Sequence, residues 1–334
     1  MPEWSPGHRG SMRVRRSDPS APGFSRLPGR TPRYVDATGS PVDDAEVIAR
    51  IEALVIPPAW LDVWISPYPN GHIQAVGTDA AGRRQYLYHE EWRRKRDAAK
   101  FDRMLELAAA LPGARRTVTR DLRLPGVVRE RTLAAAFRMI DRAALRIGEE
   151  RYRRAYGTRG LTTLLCRDIT VDGAEIELRF PSKSGQGWDS SFRDPELAEY
   201  LAELTAHRRA GARLLAWRDA RAAHDRRWHT LRPLEVNEDI RLRTGVDASA
   251  KDFRTLRGTI IAADALARAG VAETRRARDT AEREAVRLAA SALGNTPAVA
   301  RASYIDPRVF DRYRNGELLD VRRSPEAALV TLLA

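Results

Sequence analysis

Tyr304, near the C-terminal end of the chain, is a residue whose setting could support covalent chemistry. It lies in the segment LGNTPAVARASYIDP, which begins where a glycine could end a helix and closes on an Asp-Pro pair. A phenol has an ordinary pKa of about 10, so it attacks a phosphodiester poorly at neutral pH unless cations stabilise the phenolate. Most tyrosines simply pack, with the hydroxyl at a wet edge. Tyr304 is therefore a candidate nucleophile only if other residues supply cations and a proton donor.

Four polar residues elsewhere in the chain could supply those groups: Arg146, Lys183, Arg254 and Asn295. Two guanidinium groups can clamp the non-bridging oxygens of a phosphate and stabilise the charge that builds in the transition state. An amide can donate a further hydrogen bond to the same oxygens. A lysine among other cations has its pKa lowered, so it can serve as a proton donor. An isolated arginine or lysine is usually a solvated surface group, so only the whole set indicates a site.

The composition indicates a polyanionic partner. The chain has 334 residues, enough for about two domains, and a net charge of +13 that arginine mostly carries. Its single cysteine, Cys166, excludes an internal disulfide and favours a reducing compartment. No apolar run has transmembrane length, and the N-terminus lacks the apolar core of a signal peptide. The sequence therefore predicts a soluble, basic, cytoplasmic protein.

The sequence contains no recognisable cofactor motif. No Cys/His cluster has the spacing of a zinc site, no glycine-rich loop has the form of a P-loop, and no acidic cluster suggests a two-metal site. We therefore predict that the protein needs neither a metal nor another cofactor.

The N-terminal part of the chain predicts a tail followed by a small β-rich domain. Residues 1–33 are rich in Pro, Gly, Ser and Arg without a sustained period, which is typical of a disordered basic tail. Runs of period two and intervening turn clusters then indicate a domain over residues 34–96. It should contain one helix and three antiparallel strands, at 45–54, 60–66, 72–77 and 83–88.

The last of these strands carries residues that could contact DNA: Arg83, Arg84, Gln85, Tyr86 and Tyr88. A two-stranded ribbon can enter the major groove, where Gln pairs with adenine edges and Arg with guanine. We therefore predict that these five residues contact double-stranded DNA. The alternative is a solvated sheet face beside a basic helix.

From residue 97 the period becomes helical, which predicts a larger, mainly α-helical domain over residues 97–334. A break is expected at Pro112-Gly113 and a connection at 117–125. Apolar residues then recur at helical spacing between 133 and 147, so Arg146 should lie late in a helix.

The remainder of this domain predicts a small β-hairpin within the helices. The hairpin should comprise residues 166–172 and 175–180, and the loop after it carries Lys183. Further helices are expected over 194–228, from 251 onward, and over 277–288, the last of these leading to Asn295 and Tyr304.

Taken together, the polar residues resemble the active site of the type IB DNA topoisomerases, in the small poxvirus-like form also found in bacteria. The resemblance extends from about Tyr34 to the C-terminus, and it includes the strand sequence GRRQYLY. The matching catalytic pieces are Leu145-Arg146-Ile147-Gly148, Lys183 after the hairpin, Lys251-Asp252-Phe253-Arg254-Thr255, and Leu293-Gly294-Asn295-Thr296 ahead of Tyr304.

The resemblance implies an α+β protein of two domains, with an N-terminal sheet and a mainly helical catalytic core. It implies a monomer that clamps duplex DNA and relaxes supercoils through a 3′-phosphotyrosyl intermediate, without ATP or a metal. Tyr304 would be the nucleophile, and Lys183 would protonate the departing 5′-oxygen with the help of Arg146. One position departs from the pattern, because poxvirus-like members commonly carry histidine where this chain has Asn295.

Two other functions fit parts of the same sequence. A tyrosine recombinase shares the chemistry, but it typically carries His-x-x-Arg where this chain has Lys251-x-x-Arg254, and its N-terminal domain is helical. A DNA-binding protein without enzymatic activity would fit the composition alone.

Overall fold

The computed structural model describes residues 13–29, 32–185, 187–218 and 227–334. The chain divides into two compact units, with the boundary between Ala99 and Lys100. The first unit contains an antiparallel sheet and a short helix, and the second is mainly helical with two small sheets. The predicted α+β class with two domains is thereby confirmed. Within the described ranges, no helix is both long and apolar enough to cross a membrane.

A five-stranded antiparallel sheet forms the first unit, in the order β2-β1-β3-β4-β5. Its elements are β1 (Phe24–Leu27), β2 (Arg33–Val35), α1 (Ala45–Ala53), β3 (Leu61–Ile65), β4 (Ile73–Thr78) and β5 (Arg84–Tyr88). The helix and the three strands predicted in this region all form, each within one residue of the expected ends. Alternating side chains of the sheet bury Val63, Ile65 and Ala75 against Ile51 of α1.

The sheet begins earlier in the chain than the sequence predicts. Strand β1 lies inside the segment expected to be a disordered tail, and Phe24 packs against the core of the unit. Arg15 forms an isolated bridge with Gly71. The prediction of disorder is therefore wrong for Phe24–Leu27, because pairing with β2 and β3 stabilises a strand that is too short to show a period. Residues 1–12, 30 and 31 of the predicted tail lie outside the described residues.

Helix α2 (Glu90–Leu122) continues through the predicted break at Pro112-Gly113 and into the predicted connection at 117–125. A proline inside a helix costs about 3 kcal/mol, whereas each fully buried apolar side chain contributes about 1.5–3 kcal/mol. Packing therefore outweighs the missing N–H of Pro112, and both predictions are wrong. The side chains that α2 buries on either side of the proline include Leu107, Leu111, Ala114 and Val118.

The second unit is built around a long helix, α7 (Ala250–Ala269). Its other helices are α3 (Arg129–Ala143), α4 (Glu150–Tyr156), α5 (Pro195–Thr205), α6 (Pro233–Thr244), α8 (Arg275–Leu293), α9 (Pro297–Ser303), α10 (Arg308–Arg314) and α11 (Pro325–Leu333). Helix α7 packs against α3, α6, α8, α10 and α11. Its strands are β6 (Ile169–Asp172), β7 (Glu175–Pro181), β8 (Gly187–Arg193), β9 (Ala216–Trp217) and β10 (His229–Thr230).

The predicted hairpin is part of a three-stranded antiparallel sheet, because β8 pairs with β7 beyond the loop that carries Lys183. The helix predicted over 194–228 is wrong beyond Thr205. Leu214, Leu215 and Ala216 are buried in succession, which suits an extended segment and not a helix of period 3.6. Residues 219–226 of that predicted helix lie outside the described residues.

Candidate active site

Helix α7 carries Arg254 one turn from its start. The backbone N–H and hydroxyl of Ser249 donate to the buried carboxylate of Asp252, which caps the helix. Arg254 is 2% exposed, and its terminal nitrogens donate to the carbonyls of Ala144 and Leu293, each at 2.7 Å. Burial lowers the pKa of Arg254, although a guanidinium keeps its proton at neutral pH. Within the described chain, no carboxylate forms an ion pair with this buried charge.

Arg146 lies in the irregular segment between α3 and α4, and not late in a helix as the sequence predicts. Helix α3 ends at Ala143, and Ala144 takes up the left-handed conformation with a φ of 48°. The chain then turns at Gly148, whose φ is +80° and whose backbone packs directly on Gly160. A Cβ at Gly148 would lie 2.8 Å from the carbonyl carbon of Gly160, so this contact requires glycine and replaces a further helical turn.

The Arg146 guanidinium joins three segments of the second unit. One terminal nitrogen donates to the Ser182 hydroxyl at 3.0 Å, and the other donates to the Gly294 carbonyl at 3.0 Å and to Asn295 Oδ1 at 2.7 Å. Burial and the neighbouring charge of Arg254 lower the pKa of Arg146 to about 10. Two like charges held together in this way favour binding of an anion between them.

Asn295 presents a buried amide donor without a partner. Helix α8 ends at Gly294, whose left-handed backbone (φ 56°) is the cap that the sequence predicts. Because Arg146 can only donate, Oδ1 of Asn295 must face it, and Nδ2 is left over. Within the described residues, both Asn295 Nδ2 and Arg254 Nε are buried and lack a hydrogen-bond partner. Such groups are rare in folded proteins and are found at sites of function.

Tyr304 lies at the end of α9, and its ring centroid is 5.0 Å from Cζ of Arg254. Burial alone would raise the pKa of Tyr304, but the positive charges of Arg254, Arg146 and Lys251 outweigh it and lower the pKa below its ordinary value. The structure therefore brings the tyrosine, both arginines and the asparagine of the predicted set into one cluster. Sequence reasoning did not assign Lys251 to the site, although the Lys251-x-x-Arg254 spacing was the signal for it.

The backbone of Tyr304 packs directly against α7, the helix that also carries Arg254. A Cβ at Gly258 would lie 2.6 Å from the Tyr304 carbonyl oxygen, so α7 approaches the tyrosine segment backbone to backbone. The Thr259 hydroxyl accepts from the N–H of Asp306 at 3.1 Å. The carboxylate of Asp306 is fully buried and accepts from the Arg308 guanidinium. Gly258 and Thr259 therefore fix the position of Tyr304 along α7. Neither residue was identified from the sequence.

Lys183 is exposed at the start of a short 3-10 turn, Lys183–Gly185, between β7 and β8. Its neighbour Ser182 is buried and accepts the hydrogen bond from Arg146. Within the described residues, the Lys183 ammonium itself forms no hydrogen bond or ion pair. The structure therefore anchors the residue next to Lys183 at the cluster while the lysine side chain faces solvent.

The five predicted DNA contacts on and beside β5 fall on different sides of the strand. Strand alternation gives Arg84, Tyr86 and Tyr88 one face, and the two tyrosine rings stack 6.1 Å apart. Gln85 shares the opposite face with Leu87, which packs against the core, and its amide donates to Asp79 at 2.8 Å. Arg83 forms an ion pair with the same carboxylate. Arg84, Tyr86 and Tyr88 form a basic and aromatic surface. Gln85 and Arg83, in contrast, already have a partner within the protein.

Comparison with known families extends over both units. The family model described as the catalytic core of eukaryotic DNA topoisomerase I matches residues 89–316, and the N-terminal domain of bacterial DNA topoisomerase IB matches residues 32–79. The chain belongs to the type IB DNA topoisomerase family. A curated relative, DNA topoisomerase 1B of Acanthamoeba polyphaga mimivirus, is 28% identical over 271 residues, which cover 80% of each chain.

Membership of the type IB topoisomerase family makes the protein an isomerase that acts on DNA, and it confirms the resemblance inferred from the sequence. Neither a recombinase nor a DNA-binding protein without activity accounts for a match over both regions.

Tyr313, the other tyrosine of the C-terminal segment, differs from Tyr304 in its surroundings. Its hydroxyl donates to the Gly270 carbonyl at 3.1 Å, and burial raises its pKa, so it is held as a neutral packing residue.

Proposed function

We propose that this type IB topoisomerase relaxes supercoiled duplex DNA by cutting one strand, letting it rotate and rejoining it. The observation that supports this most strongly is the pair of buried donors without a partner, Arg254 Nε and Asn295 Nδ2, beside a tyrosine whose pKa is lowered. A phosphate bound there would accept from both donors. The positive charges that lower the pKa of Tyr304 would stabilise its phenolate before the attack. They would also stabilise the negative charge that builds on the phosphate during the attack.

In the proposed reaction the Tyr304 oxygen attacks phosphorus, and the bond between phosphorus and the 5′-oxygen breaks. The tyrosine is then joined to the 3′-phosphate, and the 5′-oxygen leaves with a proton supplied by Lys183. Rejoining is the reverse step, in which the 5′-hydroxyl attacks the phosphotyrosine and returns its proton. Because one phosphodiester is exchanged for another, the free energy of the bond is conserved, and neither ATP nor a metal is required.

Lys183 is the proposed general acid because its turn adjoins Ser182, which is bonded to Arg146. Movement of a short turn would bring the ammonium to the 5′-oxygen when DNA is bound. Arg146 assists by holding the phosphate. Arg254 and Asn295 complete the set, and the amide of Asn295 does this without titrating, unlike the histidine common in poxvirus-like members.

The division of labour between the two parts of the chain is also proposed. Residues 34–96 would bind the duplex through Arg83, Arg84, Gln85, Tyr86 and Tyr88, and residues 97–334 would carry out the chemistry. The protein would act as a monomer that clamps the duplex and would associate with the nucleoid. The net charge of +13 supports binding along the phosphate backbone.

Plasmid relaxation without ATP and in the presence of EDTA tests the proposal. The wild-type protein should change the linking number and form a covalent adduct with a 3′-phosphate. Tyr304→Phe should lose relaxation and adduct but keep DNA affinity, because only one hydroxyl is removed. Tyr313→Phe is the matched control and should retain both activities. An adduct that persists in Tyr304→Phe would overturn the assignment of the nucleophile.

A further inference from the structure

The second unit contains a cavity of about 620 Å³ away from the tyrosine cluster. Helices α2, α3, α7 and α11 contribute to its walls. On α7, Phe253, Leu256 and Ile260 line it, whereas Arg254 and Gly258 belong to the face that contacts Tyr304. At 3.6 residues per turn these two sets point in different directions. The cavity is therefore separate from the active site, although the same helix borders both.

Arginines dominate the polar part of this cavity: Arg115, Arg138, Arg142 and Arg257. Two acidic residues also line it, Asp141 and Glu326, and both accept hydrogen bonds from Arg115. Arg115 thus bonds both acidic groups, and the buried Asp194 pairs with Arg138 and Arg142 behind the lining. Four arginines face three carboxylates in this region, so one positive charge remains in excess.

Two of the arginines retain capacity for a further partner. Arg138 is 6% exposed; its terminal nitrogens donate to Asp194 and Thr119, but its buried Nε has no partner within the described residues. Arg257 is exposed, and its charge helps to lower the pKa of Glu326, but within the described chain it forms no ion pair closer than 4 Å with a carboxylate. A buried donor without a partner carries a desolvation cost that an anionic acceptor would remove.

We propose that this cavity binds a small organic anion, with its acidic group at Arg257 and Arg138 and its apolar body against Phe253, Leu256 and Ile260. The volume lies in the range of small-molecule sites, and the combination of an apolar wall with a few convergent cations is characteristic of them. Inorganic phosphate or sulfate would satisfy the arginines but not the apolar wall. An uncharged aromatic would do the reverse.

Three probes separate these contributions on the full-length protein. Anilinonaphthalene sulfonate has both an anionic group and an apolar body, N-phenylnaphthylamine is its uncharged counterpart, and sulfate is the anion alone. Binding is followed by probe fluorescence, and sulfate is tested as a competitor. The variant is Arg257→Gln, and the matched control is Arg276→Gln, which removes one exposed charge on α8 outside the cavity.

The sulfonate should bind the wild-type protein saturably, and Arg257→Gln should weaken the binding at this cavity roughly tenfold or more, as expected for loss of a charge-assisted hydrogen bond. Arg276→Gln should leave its affinity within about twofold, since exposed charges contribute little. N-phenylnaphthylamine should bind more weakly and ignore both substitutions, and sulfate should displace the sulfonate. Equal loss in the two variants, or equal affinity for the uncharged probe, would overturn the proposal. Plasmid relaxation by Arg257→Gln shows separately whether the active site is intact.

Discussion

The proposed reaction requires Tyr304 to lose a proton and Lys183 to donate one. In the proposed reaction the phenol loses its proton near neutral pH, and the cations around it lower its pKa in that direction. The lysine would keep its proton until the 5′-oxygen departs, and its exposed position in a turn leaves it solvated when no DNA is bound. The separation of a half-buried candidate nucleophile from an exposed candidate acid therefore suits a reaction in which DNA completes the site.

Lys183→Ala should separate proton donation from phosphate binding. Cleavage of ordinary DNA should slow by about 10²–10⁴-fold, the usual contribution of a general acid. A substrate whose bridging 5′-oxygen is replaced by sulfur should be cleaved at nearly the wild-type rate, because a thiolate leaves without a proton. Single-turnover cleavage of both substrates measures the two rates. If both slow equally, Lys183 only binds phosphate and Arg146 becomes the candidate acid.

Lys251→Met should raise the pKa of Tyr304, because one of the three charges that lower it is removed. The wild-type phenol ionises below its ordinary pKa, so its titration should move to higher pH in the variant. The change is measured as the difference in tyrosine absorbance between each protein and its Tyr304→Phe derivative during alkaline titration. Arg276→Met, which removes a distant exposed charge, should leave the midpoint unchanged. An unshifted midpoint in Lys251→Met would show that this lysine is too well screened to act on the phenol.

Helix α7 is the element that sets the relation between nucleophile and cation. Arg254 and Gly258 are one turn apart on α7. The guanidinium and the glycine that contacts the Tyr304 backbone therefore lie on one rigid segment. Fixing both groups on one helix limits their relative motion, and small displacements of reacting groups are costly to catalysis.

Gly258→Ala should misplace the tyrosine without removing any functional group. The added Cβ would meet the Tyr304 carbonyl at 2.6 Å, and overpacking of this kind costs about 1–3 kcal/mol. Cleavage should fall while DNA affinity is retained, as measured by adduct formation and by binding of a Tyr304→Phe background. Gly113→Ala in α2 is the matched control, since its nearest neighbour would be 3.8 Å away. It should be neutral or stabilising by up to about 1 kcal/mol.

Local pattern predicted the elements well wherever side chains alternate or recur regularly, as in β3, β4, β5 and α1. It failed where tertiary contacts decide. The buried apolar side chains of α2 keep this helix continuous through Pro112. The backbone contact of Gly148 with Gly160 ends α3 before Arg146.

The candidate catalytic residues were accessible from the sequence because their types and order carry the chemistry. The residues that position them were not. Gly258 and Thr259 act through backbone contacts with a segment about 45 residues away, as the Thr259 bonds illustrate, and no local pattern reports such a contact.

At the scale of the whole molecule, the charge should make DNA binding strongly dependent on salt. Arg84→Ala removes a cation from the outer face of β5 and should reduce the slope of log affinity against log salt by about 1. Tyr86→Ala should weaken binding while leaving that slope unchanged, since it removes an aromatic surface. Gln85→Ala should weaken binding less than Tyr86→Ala, because the Gln85 amide would have to leave Asp79 before it could contact DNA. A loss at Gln85 equal to that at Tyr86 would show that the Asp79 contact is exchanged for DNA.

The two candidate catalytic arginines also hold the fold together, because they donate to the carbonyls of Ala144, Leu293 and Gly294. A variant that lost either arginine would therefore lose part of its scaffold along with its proposed chemistry. The Tyr304 hydroxyl forms no such bond to the backbone of another segment in the described chain. Loss of that one oxygen should leave an intact protein that still binds DNA but no longer cuts it, whereas loss of an arginine should also lower the stability of the fold.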